Sequence, residues 1–176
     1  GTLDTELKAM FKEVSDQVYS VSVVGAAHVS GLALAEGDGQ ALAGWKRLDV
    51  DVEQADPVNR KVTVKRIALD GLDVSLAVNR QGEFNVLRLL DKISKASGND
   101  APASAPKPEA GKPFEWSLGG FALTNGLIRW KDDSAPTPVD GQVRNLQVSV
   151  GKVDGKLAEP VVISEVSYQV DLGERF

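Results

Sequence analysis

The feature that most constrains this chain is a hydrophobic period of two residues that keeps returning. In "LDVDVE", Leu48, Val50 and Val52 alternate with Asp49, Asp51 and Glu53. In "GLDVSLAV", Leu72, Val74, Leu76 and Val78 alternate with Asp73, Ser75 and Ala77. Successive strand side chains point to opposite faces, so this period puts the apolar residues on one face and the polar ones on the other. A chain made of such segments folds as a sheet with one greasy and one wet face, the pattern of antiparallel sheets.

The same period marks Leu146, Val148 and Val150, and again Val166, Tyr168, Val170 and Leu172. A strand over 29–35 ends in the turn Glu36-Gly37-Asp38-Gly39, and Asp56-Pro57-Val58-Asn59 makes another turn. Val62 and Val64 share one parity while Ile67 and Leu69 take the other, which a β-bulge near Lys65-Arg66 would reconcile. Trp116, Leu118, Phe121 and Leu123 lead to a turn at Thr124-Asn125-Gly126, then Ile128 and Trp130, then a polar loop over 132–138. A weak internal repeat aligns Ile67-Ala68-Leu69 with Phe121-Ala122-Leu123, each followed by a short turn and an alternating strand. Leu32-Ala33-Leu34 has a similar core. The unit reads as a stacked hairpin.

Two segments depart from this period. Leu3, Leu7, Met10, Phe11, Val14 and Val18 fall in steps of three and four, which predicts an amphipathic helix over residues 1–20 capped by Thr2. Val86, Leu87, Leu89, Leu90 and Ile93 predict a short helix that Asn85 caps. Residues 97–113 are rich in Ala, Pro, Gly and Ser without a large apolar side chain, and read as a flexible loop. The expected fold is α+β, mainly antiparallel β: a curved sheet or half-open β-groove of stacked hairpins with one or two short covering helices. The expected segments are 1–20, 21–96, 97–113 and 114–176, together one domain. The ends, Gly1-Thr2 and Arg175-Phe176, read as cuts through a longer chain.

No motif for chemistry emerges. There is no cysteine, hence no disulfide or thiolate metal site. The single histidine, His28, lacks the partners that a triad or a metal site needs. Asp49, Asp51 and Glu53 line the outer side of a strand, which cannot wrap a cation, so they read as a solvated face. A hydrolase would require a pocket joining His28 to Asp132 or to a serine. A net charge of −5 argues against nucleic acid as a partner. The cluster Arg60, Lys61, Lys65 and Arg66 reads as edge-strand protection. No enzyme, cofactor or metal is expected.

The greasy face is the remaining question. Six strands of six residues make roughly 600 Å² of sheet, while two short helices cover on the order of 400 Å². An apolar groove is therefore as compatible with the pattern as a closed core. The order of segments also resembles a family. "VKRIALDGLDVSLAVNRQGEFNVLRLL", an Ala/Pro linker, "FEWSLGGFALTNGLIRWKDD" and "VRNLQVSV" together resemble the AsmA-like envelope proteins of Gram-negative bacteria. The resemblance spans roughly residues 29–150. It implies a periplasmic protein anchored to the inner membrane by a segment outside these residues. It also implies a β-groove related to bridge-like lipid-transfer proteins that carries phospholipid acyl chains. Leu48, Val50, Val52, Leu72, Val74, Leu76, Ile128 and Trp130 would face that lipid. Expected partners are acyl chains, neighbouring domains of the same longer chain and envelope proteins. The alternative is an assembly module of the envelope with a closed core and no lipid.

Overall fold

The computed structural model describes residues 1–15, 18–35, 39–87, 114–157 and 159–173. They form one ten-stranded sheet. The strands are β1 (Thr2–Ser15), β2 (Val18–Ala35), β3 (Ala41–Asp56), β4 (Lys61–Asp70), β5 (Asp73–Val78), β6 (Glu115–Leu118), β7 (Phe121–Asp132), β8 (Val139–Val150), β9 (Val153–Asp154) and β10 (Ile163–Leu172).

The strands lie in seven lanes. β1, β2 and β3 form an antiparallel meander. β4 and β5 share the next lane, since both pair with β3 in one continuous antiparallel register, Arg47 opposite Asp70 and Gly44 opposite Asp73. β6 and β7 share the lane after that and run parallel to β4 and β5. β8 and β9 pair antiparallel with β7 and β6, and β10 closes the sheet on β8. Two antiparallel meanders are thus zipped together by one parallel seam. A parallel seam requires a long crossover, and the connection from Val78 to Glu115 supplies it.

The sheet corrects three expectations. Residues 2–15 are a strand, not a helix. Leu3, Leu7 and Phe11 are spaced by four, which fits one helix stripe and equally one strand face, because four is twice two. Pairing along β2, from Thr2 opposite Ser30 to Phe11 opposite Val21, decides for the strand. Second, the Gly-bearing turns at Gly71 and Asn125 do not reverse the chain. A two-residue hairpin pairs the strands on either side of its turn with each other. Here a single left-handed residue, Gly71 (φ 65°) or Asn125 (φ 54°), bends a strand that continues in its lane. Third, the two repeats do not form separate hairpins. They lie side by side and parallel, Ile67, Ala68 and Leu69 opposite Phe121, Ala122 and Leu123.

Other expectations hold. Asp51 faces Arg66 and Val52 faces Val64, so Lys65 is the extra residue of the bulge. The partner lane breaks at the same level, where Gly119 N–H donates to Val64 and Ile67 N–H donates to Gly120. The turn after Asp56 is closed by Asn59, whose backbone and side-chain N–H groups donate to the Asp56 carboxylate at 2.8 and 2.7 Å. Residues 85–87 open a helical turn; the rest of the expected second helix, and the 97–113 loop, lie outside the described residues.

The stretch after β5 shows how the sheet ends are finished. Asn79 accepts from the backbone N–H of Gln81 and of Glu83, each at 2.9 Å, and closes the polar loop. Asn85 then reaches back to β5. Its Oδ1 accepts from Ala77 N–H at 3.0 Å and from Val86 N–H at 2.9 Å, and its Nδ2 donates to Ser75 C=O at 2.8 Å. β3 pairs with β5 only at Ala43 and Gly44. Past that point the buried Asn85 side chain supplies the hydrogen bonds a neighbouring strand would have made.

Candidate functional site: a one-sided apolar sheet

Residues directly opposite each other in a ladder share a face, so the faces can be followed from lane to lane. Leu3, Leu7 and Phe11 stand opposite Val29, Gly25 and Val21. Val29, Ala27 and Gly25 stand opposite Leu48, Val50 and Val52. Leu48, Val50 and Val52 face Leu69, Ile67 and Val64. These pair with Leu123, Phe121 and Leu118 across the parallel seam. Leu123 and Phe121 pair with Val148 and Val150, which stand opposite Val166 and Ile163. One face is apolar across all seven lanes.

The apolar set survives a change of parity halfway up the sheet. In β7 it passes from odd residues (Phe121, Leu123) to even ones (Ile128, Trp130). An extra residue in β7 between Leu123 and Gly126, beside the left-handed Asn125, makes that shift. An extra residue in β8, beside the left-handed Asn145, makes the matching one. The left-handed Gly71 changes the parity between Leu69 and Val74 without an extra residue, so Val74 and Leu76 join Ile128 and Trp130 on the greasy side. A side chain on Gly71 would run into Lys46 across the ladder. Bulges at one level therefore keep a single face greasy while the strands bend.

Of the residues expected to face lipid, Leu48, Val50, Val52, Val74, Leu76, Ile128 and Trp130 lie on this face. Leu72 sits at the bend ahead of β5, half-buried, its carbonyl accepting from Leu127 N–H at 2.7 Å. Sequence reasoning misses the contribution of β1, because its spacing places Leu3, Leu7 and Phe11 on a helix. It also misses the row Val64, Ile67, Leu118, Phe121, Val148 and Val166, although the aligned repeat carries the signal for its centre.

All ten described strands belong to this one sheet, so none of them forms a second layer over the face. Among the described residues, the only large apolar side chains with under a tenth of their surface exposed are Leu42 and Leu123, at 4% and 6%. Leu3, Leu7, Phe11, Val166, Tyr168 and Leu172 are more than half exposed. A closed domain of this size would enclose a set of large aliphatic side chains.

The opposite face is polar and cross-linked by directly paired residues. His28 Nδ1 lies 2.5 Å from Asp49, and Arg47 donates to the same carboxylate at 2.8 and 2.9 Å. Arg129 joins Asp73 and Ser75. Thr124 Oγ1 and Asn125 Nδ2 donate to Asp70 at 2.9 and 2.7 Å. Gln142 and Arg144 both hold Asp171. The hydrogen bond from Arg47 holds the Asp49 carboxyl below the usual carboxylate range, and those from Asn125 and Thr124 do the same for Asp70. Asp49, read from the sequence as part of a solvated face, is thus the centre of a hydrogen-bonded cluster with Arg47 and the one histidine. His28 is level with Ala122 through Asp49 and Ala68. Asp132 lies ten residues further along β7 (132 − 122), about 33 Å away. The pocket a His28–Asp132 hydrolase would need is absent from the described residues. No group of three or more His, Asp or Glu there is placed to hold a metal ion, and no helix there is long and apolar enough to cross a membrane.

Compared with known proteins, the chain matches no family model and no curated relative.

Proposed function

We propose that this chain is a non-enzymatic lipid-binding segment whose apolar sheet face seats phospholipid acyl chains. The supporting observation is a continuous, one-sided apolar face across seven lanes, with no second layer of strands over it among the described residues and several of its large side chains more than half exposed. Seven lanes span about 29 Å, and ten residues of strand about 33 Å, so the face is on the order of 900 Å². That exceeds the few hundred Å² of apolar patch a soluble monomer ordinarily exposes. An acyl chain spans one leaflet, about 15 Å, and fits on such a face in several positions.

The order of segments that resembles the AsmA-like proteins points the same way. On that reading the chain works in the periplasm, anchored to the inner membrane, in phospholipid transport or outer-membrane homeostasis. Among the described residues both outer strands, β1 and β10, pair on one side only, which suits neighbouring segments of a longer chain. Leu48, Val50, Val52, Leu72, Val74, Leu76, Ile128 and Trp130 would contact cargo. Native mass spectrometry of the purified chain, with rebinding of phospholipid after delipidation, tests this. Bound phospholipid is the expected result; no lipid in either measurement would favour the envelope-assembly reading.

A further inference from the structure

One end of the strands carries a feature that neither the sheet nor its cargo accounts for. The turn over 57–60, the segment 114–116 and the turn over 154–157 meet there: Lys61 pairs with Glu115, Glu115 N–H donates to Arg60 C=O, and Gly155 N–H donates to Trp116 C=O. They enclose a cleft of about 370 Å³ lined by Lys61, Phe114, Trp116 and Lys156. Around it Val58, Phe114, Trp116, Leu157, Val161 and Val162 project with 42–66% of their surface exposed.

Leu157 is the telling residue. Its backbone is left-handed, at φ 47°, and its side chain is 66% exposed. A leucine in that region is strained where glycine or asparagine would not be. Burial does not explain its presence, and local backbone preference opposes it. A residue held against its backbone preference with an exposed apolar side chain is a candidate contact point.

We propose that this end of the sheet is a membrane-docking rim that inserts Val58, Phe114, Trp116 and Leu157 into the headgroup region of a phospholipid bilayer. The occupant follows from the composition. Aliphatic tips alternate with a tryptophan and with Arg60, Lys61 and Lys156, the mixture that suits a water–lipid boundary. The charges argue against a purely electrostatic contact. Arg60, Lys61 and Lys156 are matched by Asp56, Glu115 and Asp154, and Lys156 lies 3.6 Å from Glu115. Seating is therefore driven by apolar burial and resists salt. The rim docks whether or not the sheet face carries lipid, so it goes beyond the groove reading.

The test is flotation of the purified chain with vesicles of phosphatidylethanolamine and phosphatidylglycerol, at low and at high salt. Wild type is expected to float at both. Leu157→Asn relieves the backbone strain, so the fold is kept, and it is expected to weaken vesicle binding about tenfold, the loss of one seated side chain. Val58→Ser is expected to weaken it further, while Val139→Ser at the opposite strand end leaves it unchanged. With Trp45→Phe and Trp130→Phe, fluorescence of the remaining Trp116 is expected to be quenched by brominated acyl chains. Binding that vanishes with salt, or that Leu157→Asn and Val58→Ser leave intact, overturns the proposal. So does self-association that the same substitutions abolish in the absence of vesicle binding. Native mass spectrometry keeps the two readings apart: a variant that retains lipid but no longer floats supports the rim independently of the groove, whereas wild type that retains lipid but does not float overturns the rim and leaves the groove standing.

Discussion

Replacing Asn85 by alanine removes a side chain that stands in for a strand. Asn85 is 6% exposed and serves three backbone groups: Ala77 N–H, Ser75 C=O and Val86 N–H. Losing the partner of a part-buried backbone group costs about 1 kcal/mol at the low end of the range, and Asn85 serves two such groups on β5 and one at Val86. Asn85→Ala should therefore destabilise the chain by about 2–3 kcal/mol. For a chain of this size that lowers Tm by roughly 5–10 °C. Asn85→Asp should do no better near neutral pH, because a carboxylate accepts from Ala77 but cannot donate to Ser75 C=O. Urea unfolding followed by tryptophan fluorescence measures both. A loss under about 0.5 kcal/mol for Asn85→Ala, the scale of an ordinary surface change, would refute this account of the β5 edge.

Further outcomes follow from the same structure. Phe11→Ser, at a side chain 75% exposed on the open face, should change stability by less than about 0.5 kcal/mol in denaturant while reducing lipid retained in native mass spectrometry. At the left-handed bend, Asn125→Gly should be near neutral, whereas Asn125→Val should cost about 1–2 kcal/mol by thermal unfolding. Asp70 titrates below its usual range because Asn125 and Thr124 donate to its charged form, so its contribution is present above the unfolded carboxylate pKa and is lost as pH falls through the lower folded value. Asp70→Asn should therefore be less stable than wild type at pH 7, with the gap closing below about pH 4 in a pH series of unfolding curves.

What could be read from the sequence was parity. The alternations at Leu48, Val50 and Val52 and at Val74 and Leu76 report a local property, side-chain direction, and each proved to lie on one face. The bulge at Lys65 was legible for the same reason: two parities in one strand demand an extra residue. Lane partners were not legible, because pairing depends on contacts across 54 residues between the aligned repeats (121 − 67), which no local pattern encodes. β1 was misread because spacing by four satisfies both periods, and only a neighbouring strand can choose between them. The bends at Gly71 and Asn125 were misread because positive φ at one residue looks in sequence like the start of a hairpin. The His28–Asp49–Arg47 cluster was invisible until β2 and β3 were in register.

The central claim is that the apolar face is open to lipid and the polar face is not. Photocrosslinking residues placed at positions 50 and 74, and in separate samples at positions 51 and 75, address it directly. Val50 and Val74 lie on the apolar face; Asp51 and Ser75 lie on the other, opposite Arg66 and Arg129. Irradiation with bound phospholipid should give acyl-chain adducts from 50 and 74 and none from 51 and 75. Adducts from both faces alike, or from neither, would contradict the account.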